Sequence, residues 1–252
     1  GPAGTEMVVL ELDEVDRLVR HDLDHGLNLL NTFRSLSDEG LCRFVLCGER
    51  VLDRVARDPA LPLQTFAGIF RLGYLHQEEA ERLVREPLAE LGIGLQDAER
   101  LVAEIVALSG RHPNILEALC QLLIDRVSER NDCVILWQDV EAVSHSSAFY
   151  DLFFEVIWGN CSTLERLISV LMASRQHFTV EQVRLALEGL GIHLPEVQLA
   201  DALEGLTLAA LVTVQSSEYV FASDAFSRVL RQSGFGQGFR DSLAEAFLTE
   251  HG

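Results

Sequence analysis

The sequence predicts a predominantly helical chain that opens with a short parallel α/β segment. Three observations carry this reading. Two apolar stretches, "VVLELDE" and "RFVLCGER", flank a helical stretch, the pattern of parallel strands joined by a crossover. From Gln77 to about Val143, apolar side chains recur at helical spacing. The last third carries two helix-start boxes and then a hairpin signal, "LVTVQSSEYVFAS".

Residues 7–13 read as a buried-type strand ending in Asp13-Glu14. Glu11 is irregular there, because alternation sets it on the face of Asp13. The segment 14–39 is charged and helical, with leucines at Leu27, Leu29, Leu30 and Leu36. A second strand, Phe44 to Cys47, ends at Gly48, which permits a tight exit or a close backbone approach. A loop follows around Pro59 and Pro62, and "FRLGYL" is expected to form a third strand. Two or three strands are few for a doubly wound sheet, so the sheet is expected to be truncated on its N-terminal side.

"EEAERLVREPLAELGI" is expected to form one helix broken near Pro87. "DAERLVAEIVALSG" places Leu101, Ile105 and Leu108 on one face, with Gly110 as the cap. "PNILEALCQLLIDRVSER" starts with Pro113 in the first turn, a favoured place for it. Its core side carries Ile115, Leu116, Leu119, Leu122, Leu123 and Val127. Capping boxes run from Ser162 to Glu165 and from Thr179 to Gln182. A third helix runs from Pro195 to about Ala209, Ser216-Ser217 makes the hairpin turn, and "DAFSRVLRQ" is helical again. Three helices and a hairpin predict a winged helix. "SGFGQGF" reads as a glycine-rich hinge before a short terminal helix. The aromatic stretch "AFYDLFFEVIWG" is too apolar for a free linker and is expected to be buried where the helical segment meets the winged helix.

Composition excludes several functions. The net charge of −19 opposes broad binding to nucleic acids or anionic membranes, which depends on basic residues. No apolar run suits a membrane span and no secretory signal is visible, so a cytoplasmic chain is expected. Five cysteines without a CxxC pair read as reduced thiols. All 20 basic residues are arginine. A phosphate loop places a lysine on the β- and γ-phosphates, so this chain contains no complete one.

Asp13-Glu14 follows its strand as magnesium chemistry requires, since ligands bind outside the carboxyl ends of parallel strands. Asp13 is suited to hold the ion through water, and Glu14 to take a proton from an attacking water. The simpler reading makes both residues favourable charges at the start of the next helix.

In order, "DEVDRL", "FVLCGER", "RLGYLHQEEAERLVREP" and "SGRHPNILEALCQLLIDRV" resemble the STAND class of P-loop NTPases, relatives of AAA+ and archaeal initiator ATPases. The resemblance spans about residues 7–232. It implies an α/β fragment of a P-loop NTPase core (1–76), an all-α lid (77–148), a winged-helix domain with its aromatic junction (149–232), and a C-terminal hinge with a short helix (233–252). It also implies ATP and magnesium in the full-length protein, with none expected on this chain alone. Asp13 and Glu14 would take the Walker B roles. Gly110, His112 and Pro113 would sit at the lid near the adenine, although "GRHP" has one residue more between Gly and Pro than the simplest motif. Cys47 stands near an expected polar sensor. Arg50 and Arg71 are candidate arginine fingers or sensors, or ordinary ion-pair residues.

"GPAGT" resembles the start of a phosphate loop, but Gly1-Pro2 also reads as a protease-cleavage remnant, the reading favoured here. The implied function is the regulatory and oligomerisation core of a signalling switch that does not hydrolyse ATP alone and meets protein partners or copies of itself. One alternative is a protein-interaction adaptor with a degenerate NTPase fold. The other is a winged-helix DNA-binding regulator. Against the latter, "PEVQLADALEGLTLAA" offers three carboxylates and only Gln198 to base edges. Residues 162–232 carry eight acidic and five basic side chains.

Overall fold

The computed structural model describes residues 7–70, 72–232 and 237–251. The opening "GPAGT", Arg71 and residues 233–236 of the expected hinge lie outside them. The chain divides after Leu72 into two compact units.

In the first unit, β1 (Val8–Leu12) pairs in parallel with β2 (Cys42–Leu46), Val8 opposite Cys42 and Leu12 opposite Leu46. The crossover holds α1 (Asp16–Asp24) and α2 (Asn28–Asp38), and α3 (Arg50–Arg57) and α4 (Pro62–Phe66) follow. The helical stretch 14–39 is thus two helices, parted at Gly26 and Leu27, both with left-handed φ. Asp22 makes this break stable: its carboxylate accepts the Leu29 and Leu30 amides at 2.9 Å each, satisfying donors at the start of α2. Leu12, Phe44 and Leu46 pack against a core that includes Val19, Leu30, Phe33 and Val55. Phe33 and Phe44 stack with centroids 4.4 Å apart. The other sheet face, with Val9, Glu11, Arg43 and Val45, is exposed. Glu11 is tolerated because it lies on that open face.

The described residues of "FRLGYL" form no strand. Among the described residues β1 pairs only with β2, and Phe70 and Leu72 are fully or almost fully exposed. An apolar run forms a strand only when an edge accepts its backbone. Here the Leu75 amide donates to the carbonyl of Arg111 at 3.0 Å instead.

The second unit begins with α5 (Gln77–Glu90), which runs unbroken through Pro87. Pro87 removes one donor, to the carbonyl of Leu83. Both residues are exposed, so water can take the place of that bond. Next come β3 (Gly94–Leu95), α6 (Ala98–Ser109), α7 (Pro113–Glu129) and β4 (Val134–Ile135), with β3 and β4 forming a parallel pair. Then follow α8 (Trp137–Ser144), α9 (Ser147–Val156) and a 3-10 turn at Trp158–Asn160. The remaining helices are α10 (Thr163–Met172), α11 (Val180–Glu188), α12 (Glu196–Leu208), α13 (Asp224–Gln232) and α14 (Gln237–His251).

Both expected capping boxes form. Between α12 and α13, β5 (Val212–Gln215) and β6 (Glu218–Phe221) make an antiparallel hairpin. Ser216 and Ser217 turn it with φ of 49° and 69°, the left-handed pair that two-residue hairpins require. Phe178 adds a backbone bridge to Tyr219. The terminal helix is longer than expected, with 15 residues, and absorbs Gln237–Phe239 of the glycine-rich stretch.

One apolar core runs through this unit. Phe149 and Phe153 are fully buried, Trp158 nearly so, and Tyr150 and Phe154 pack against them. The Trp158 indole donates to Ser169 Oγ at 3.0 Å. The aromatic stretch therefore lies in the core. Among the described residues no helix is long and apolar enough to cross a membrane.

Candidate functional site

The acidic pair lies just beyond β1, in a loop fixed by backbone bonds. The Cys47 amide donates to the Leu12 carbonyl at 2.8 Å, and the Val15 amide donates to the Cys47 carbonyl at 3.0 Å. Between these bonds Glu14 takes a left-handed φ of 51°, and its amide donates to Asp13 Oδ1 at 2.9 Å. A non-glycine residue held there costs about 1 kcal/mol or more, a strain that gathers at functional sites. Both side chains are exposed, and Cys47 is exposed beside them. Among the described residues no cluster of three or more His, Cys, Asp or Glu stands ready to hold a metal.

Asp16, which the sequence reading passed over, anchors this loop. Its carboxylate accepts the amides of Glu49, Val51 (2.7 Å) and Leu52 (3.4 Å) at the start of α3. The bonds cap α3 and tie the end of β1 to the turn after β2. Gly48 makes room for them: a Cβ there would lie 2.3 Å from Asp16 Oδ2. Gly48→Ala is expected to cost about 2 kcal/mol, in the range for overpacking. Gly73→Ala, with nothing within 4 Å of the added carbon, should be near neutral. Urea unfolding of the two variants checks this. Equal midpoints for Gly48→Ala and the parent would refute the clasp.

Gly110, His112 and Pro113 are brought together in the turn between α6 and α7. Gly110 caps α6 with φ 59°, and Arg111 is also left-handed at 62°. His112 precedes α7, and Pro113 is its first residue. The His112 Nδ1 is buried without a hydrogen-bond partner. Burial lowers the pKa of this imidazole and so favours its neutral form. A pocket of about 280 Å³ opens beside the turn, lined by Gln77, Val106, Gly110, Arg111 and Ala222.

The turn is also held from the C-terminal side. A Cβ on Gly110 would meet the Ala222 carbonyl at 3.1 Å. Ser223 Oγ lies 2.8 Å from the Ala107 carbonyl and 3.1 Å from that of Leu108. The Tyr74 hydroxyl donates to the Val212 carbonyl at 3.3 Å. Burial raises its pKa far above the ordinary phenol value, against the opposing charge of Arg111. Sequence reasoning missed Tyr74 and Ser223, whose partners lie more than a hundred residues away. Arg50 is half-buried as the first residue of α3. Arg71 lies outside the described residues. The acidic pair and the glycine turn are built in different units, each by contacts within its own unit.

No protein-family model matches the sequence, and no curated protein matches it. Solved structures do. A Walker-type ATPase of Pyrococcus abyssi aligns with a TM-score of 0.60 at 18% identity, covering 88% of this chain and 63% of that one. The ORC2 protein of Aeropyrum pernix, solved in ADPNP and ADP complexes, aligns with a TM-score of 0.55 at 14% identity. That match covers 97% of this chain and 67% of ORC2. This chain thus shares its fold with these two proteins, and it spans 63% of the length of the first of them.

Proposed function

We propose that this chain is the regulatory and oligomerisation core of a STAND-type signalling ATPase switch. The supporting observation is the strained, exposed Asp13-Glu14 pair at the carboxyl end of a parallel strand. On this reading Glu14 takes the proton of an attacking water, and Asp13 holds magnesium through water. Magnesium there would neutralise phosphate charge. Gly110, His112 and Pro113 would take the lid position near the adenine. Arg50 would sense phosphate or reach a neighbouring subunit.

The proposed division is NTPase core to residue 76, lid to 148, winged helix to 232, and a terminal segment after it. The winged helix serves as a packing arm: its α12 carries three carboxylates and no basic residue, so DNA is a poor partner. Protein partners or further copies are the expected contacts, in the cytoplasm.

With no lysine in the chain, the β- and γ-phosphates need a phosphate loop from outside it. The purified chain is therefore expected to hydrolyse no ATP and to bind ATP-magnesium more weakly than about 10 μM, or roughly −6.8 kcal/mol. Calorimetry tighter than that would overturn the reading. In the protein with its phosphate loop, Glu14→Gln should slow hydrolysis about 100-fold or more and leave nucleotide binding intact. The lack of lysine also favours a second reading, an adaptor with a degenerate NTPase fold. Hydrolysis unchanged by Glu14→Gln would reject the base role, and no nucleotide binding even with the loop present would select the adaptor.

A further inference from the structure

We infer that a groove between α7 and α9 docks a cationic amphipathic helix of a partner protein. The groove has a volume of about 600 Å³. Its apolar floor is set by Ala118 and Leu122 on α7 and by Ala148 and Leu152 on α9. Each pair is spaced by four residues, so each helix gives two adjacent turns to one side of the floor. Leu122 and Leu152 are only half-buried and close the floor without filling the groove.

The rim decides the occupant. Glu117, Asp151 and Glu155 line it, all exposed. None of the three makes an ion pair among the described residues, and no cation lines the groove. Some other carboxylates of this unit are neutralised locally. Arg82 pairs with Glu86 at 2.8 Å, Arg85 with Glu99 at 2.9 Å, and Arg184 with Glu181 and Glu188. An apolar floor with an uncompensated acidic rim suits a helix with apolar residues at i and i+4 and arginine or lysine on its flanks. A second copy of this chain is a poor occupant. A copy would have to offer arginines to this rim, and several of them are already paired with carboxylates.

The test is a fluorescence-anisotropy titration at about 150 mM salt, where long-range attraction is screened. The probe is a labelled helical peptide of about 16 residues, with leucines at i, i+4 and i+7 and flanking arginines in an alanine background. Micromolar binding is expected. It should weaken at least tenfold when Glu117, Asp151 and Glu155 are changed to Gln. It should hold within twofold when Glu196, Asp201 and Glu245 are changed to Gln, a control with the same change of charge elsewhere. A peptide with serine in place of leucine should bind at least tenfold more weakly. Leu152→Ser should do the same in a variant whose circular dichroism matches the parent.

Three results would overturn the inference. Equal losses in the groove variant and the control would reduce binding to bulk charge. Equal binding of the serine peptide would remove the apolar floor from recognition. Self-association in sedimentation runs, abolished by the Glu117, Asp151 and Glu155 changes, would assign the groove to a second copy.

Discussion

Phe153→Ala is expected to destabilise the unit of residues 73–252 by about 4 kcal/mol, within the range for truncating a fully buried phenylalanine. Phe153 on α9 has no exposed surface. Its ring centroid is 5.2 Å from that of Phe226 on α13 and 5.3 Å from that of Phe154. Phe226 is itself fully buried, and its ring lies against the turn at Gly110. Collapse into the cavity is hindered on both sides. The start of α13 is held by Ser223 at the end of α6, and α9 continues into the Trp158 turn, which is hydrogen-bonded to α10. Phe226→Ala should cost a similar amount. The double variant should lose about 0.5–1.5 kcal/mol less than the sum, the usual coupling of an aromatic pair. Because one core crosses the whole unit, urea unfolding followed by the fluorescence of Trp137 and Trp158, both within it, should give one transition for this unit. Two transitions, with Phe153→Ala moving only one, would show that the helical segment and the hairpin module are independent.

What the sequence made legible was local. The capping boxes at Ser162 and Thr179, the Gly110 cap and the Ser216-Ser217 turn each depend on residues within a few positions. Such signals survive without knowledge of the fold. The parallel pairing of β1 and β2 followed from two apolar runs with a helical stretch between them. The failures share a different cause. "FRLGYL" has strand composition, but no edge accepts it among the described residues. Pro87 is tolerated because it and Leu83 lie on an exposed face of α5, which no spacing rule reveals.

At the candidate site the acidic pair was legible as a motif, and its strain was not. Glu14 adopts its left-handed φ because Cys47, more than thirty residues away, clamps the chain on both sides. Asp16 looked like one more acidic residue of a charged helix. It is instead the anchor for the start of α3, a role visible only once β1 and β2 lie side by side. Gly48 was marked as a point of close approach, and the approaching group is Asp16. Long-range bonds between side chain and backbone leave no periodic trace, and they decide how this site is held.

Asp139→Asn is expected to cost about 3 kcal/mol at pH 7, and this cost should shrink on acidification. Asp139 is 2% exposed and sits in the first turn of α8. It accepts hydrogen bonds from Arg126 Nε at 3.0 Å, from Arg130 Nη1, and from the Leu136 amide at 2.9 Å. Arg130 also donates to the Val134 carbonyl at 2.9 Å, so the carboxylate joins the end of α7, β4 and α8. Removing one partner of a buried ion pair costs about 3–5 kcal/mol. The lower end applies because the side chains of Arg126 and Arg130 are 47% and 35% exposed and regain hydration. Burial alone would raise the pKa of Asp139. The hydrogen bonds from Arg130, Leu136 and Arg126 outweigh it and hold the pKa below the ordinary value of 3.8. A carboxylate with a depressed folded-state pKa contributes fully above its unfolded value, and that contribution fades as pH falls through the folded one. The parent should therefore lose stability on acidification below about pH 4, and Asp139→Asn should lose less. Urea unfolding at pH 7 and again near pH 3 reads the difference directly. A gap between parent and variant that stays constant across that range would show that Asp139 is not ionised in the fold.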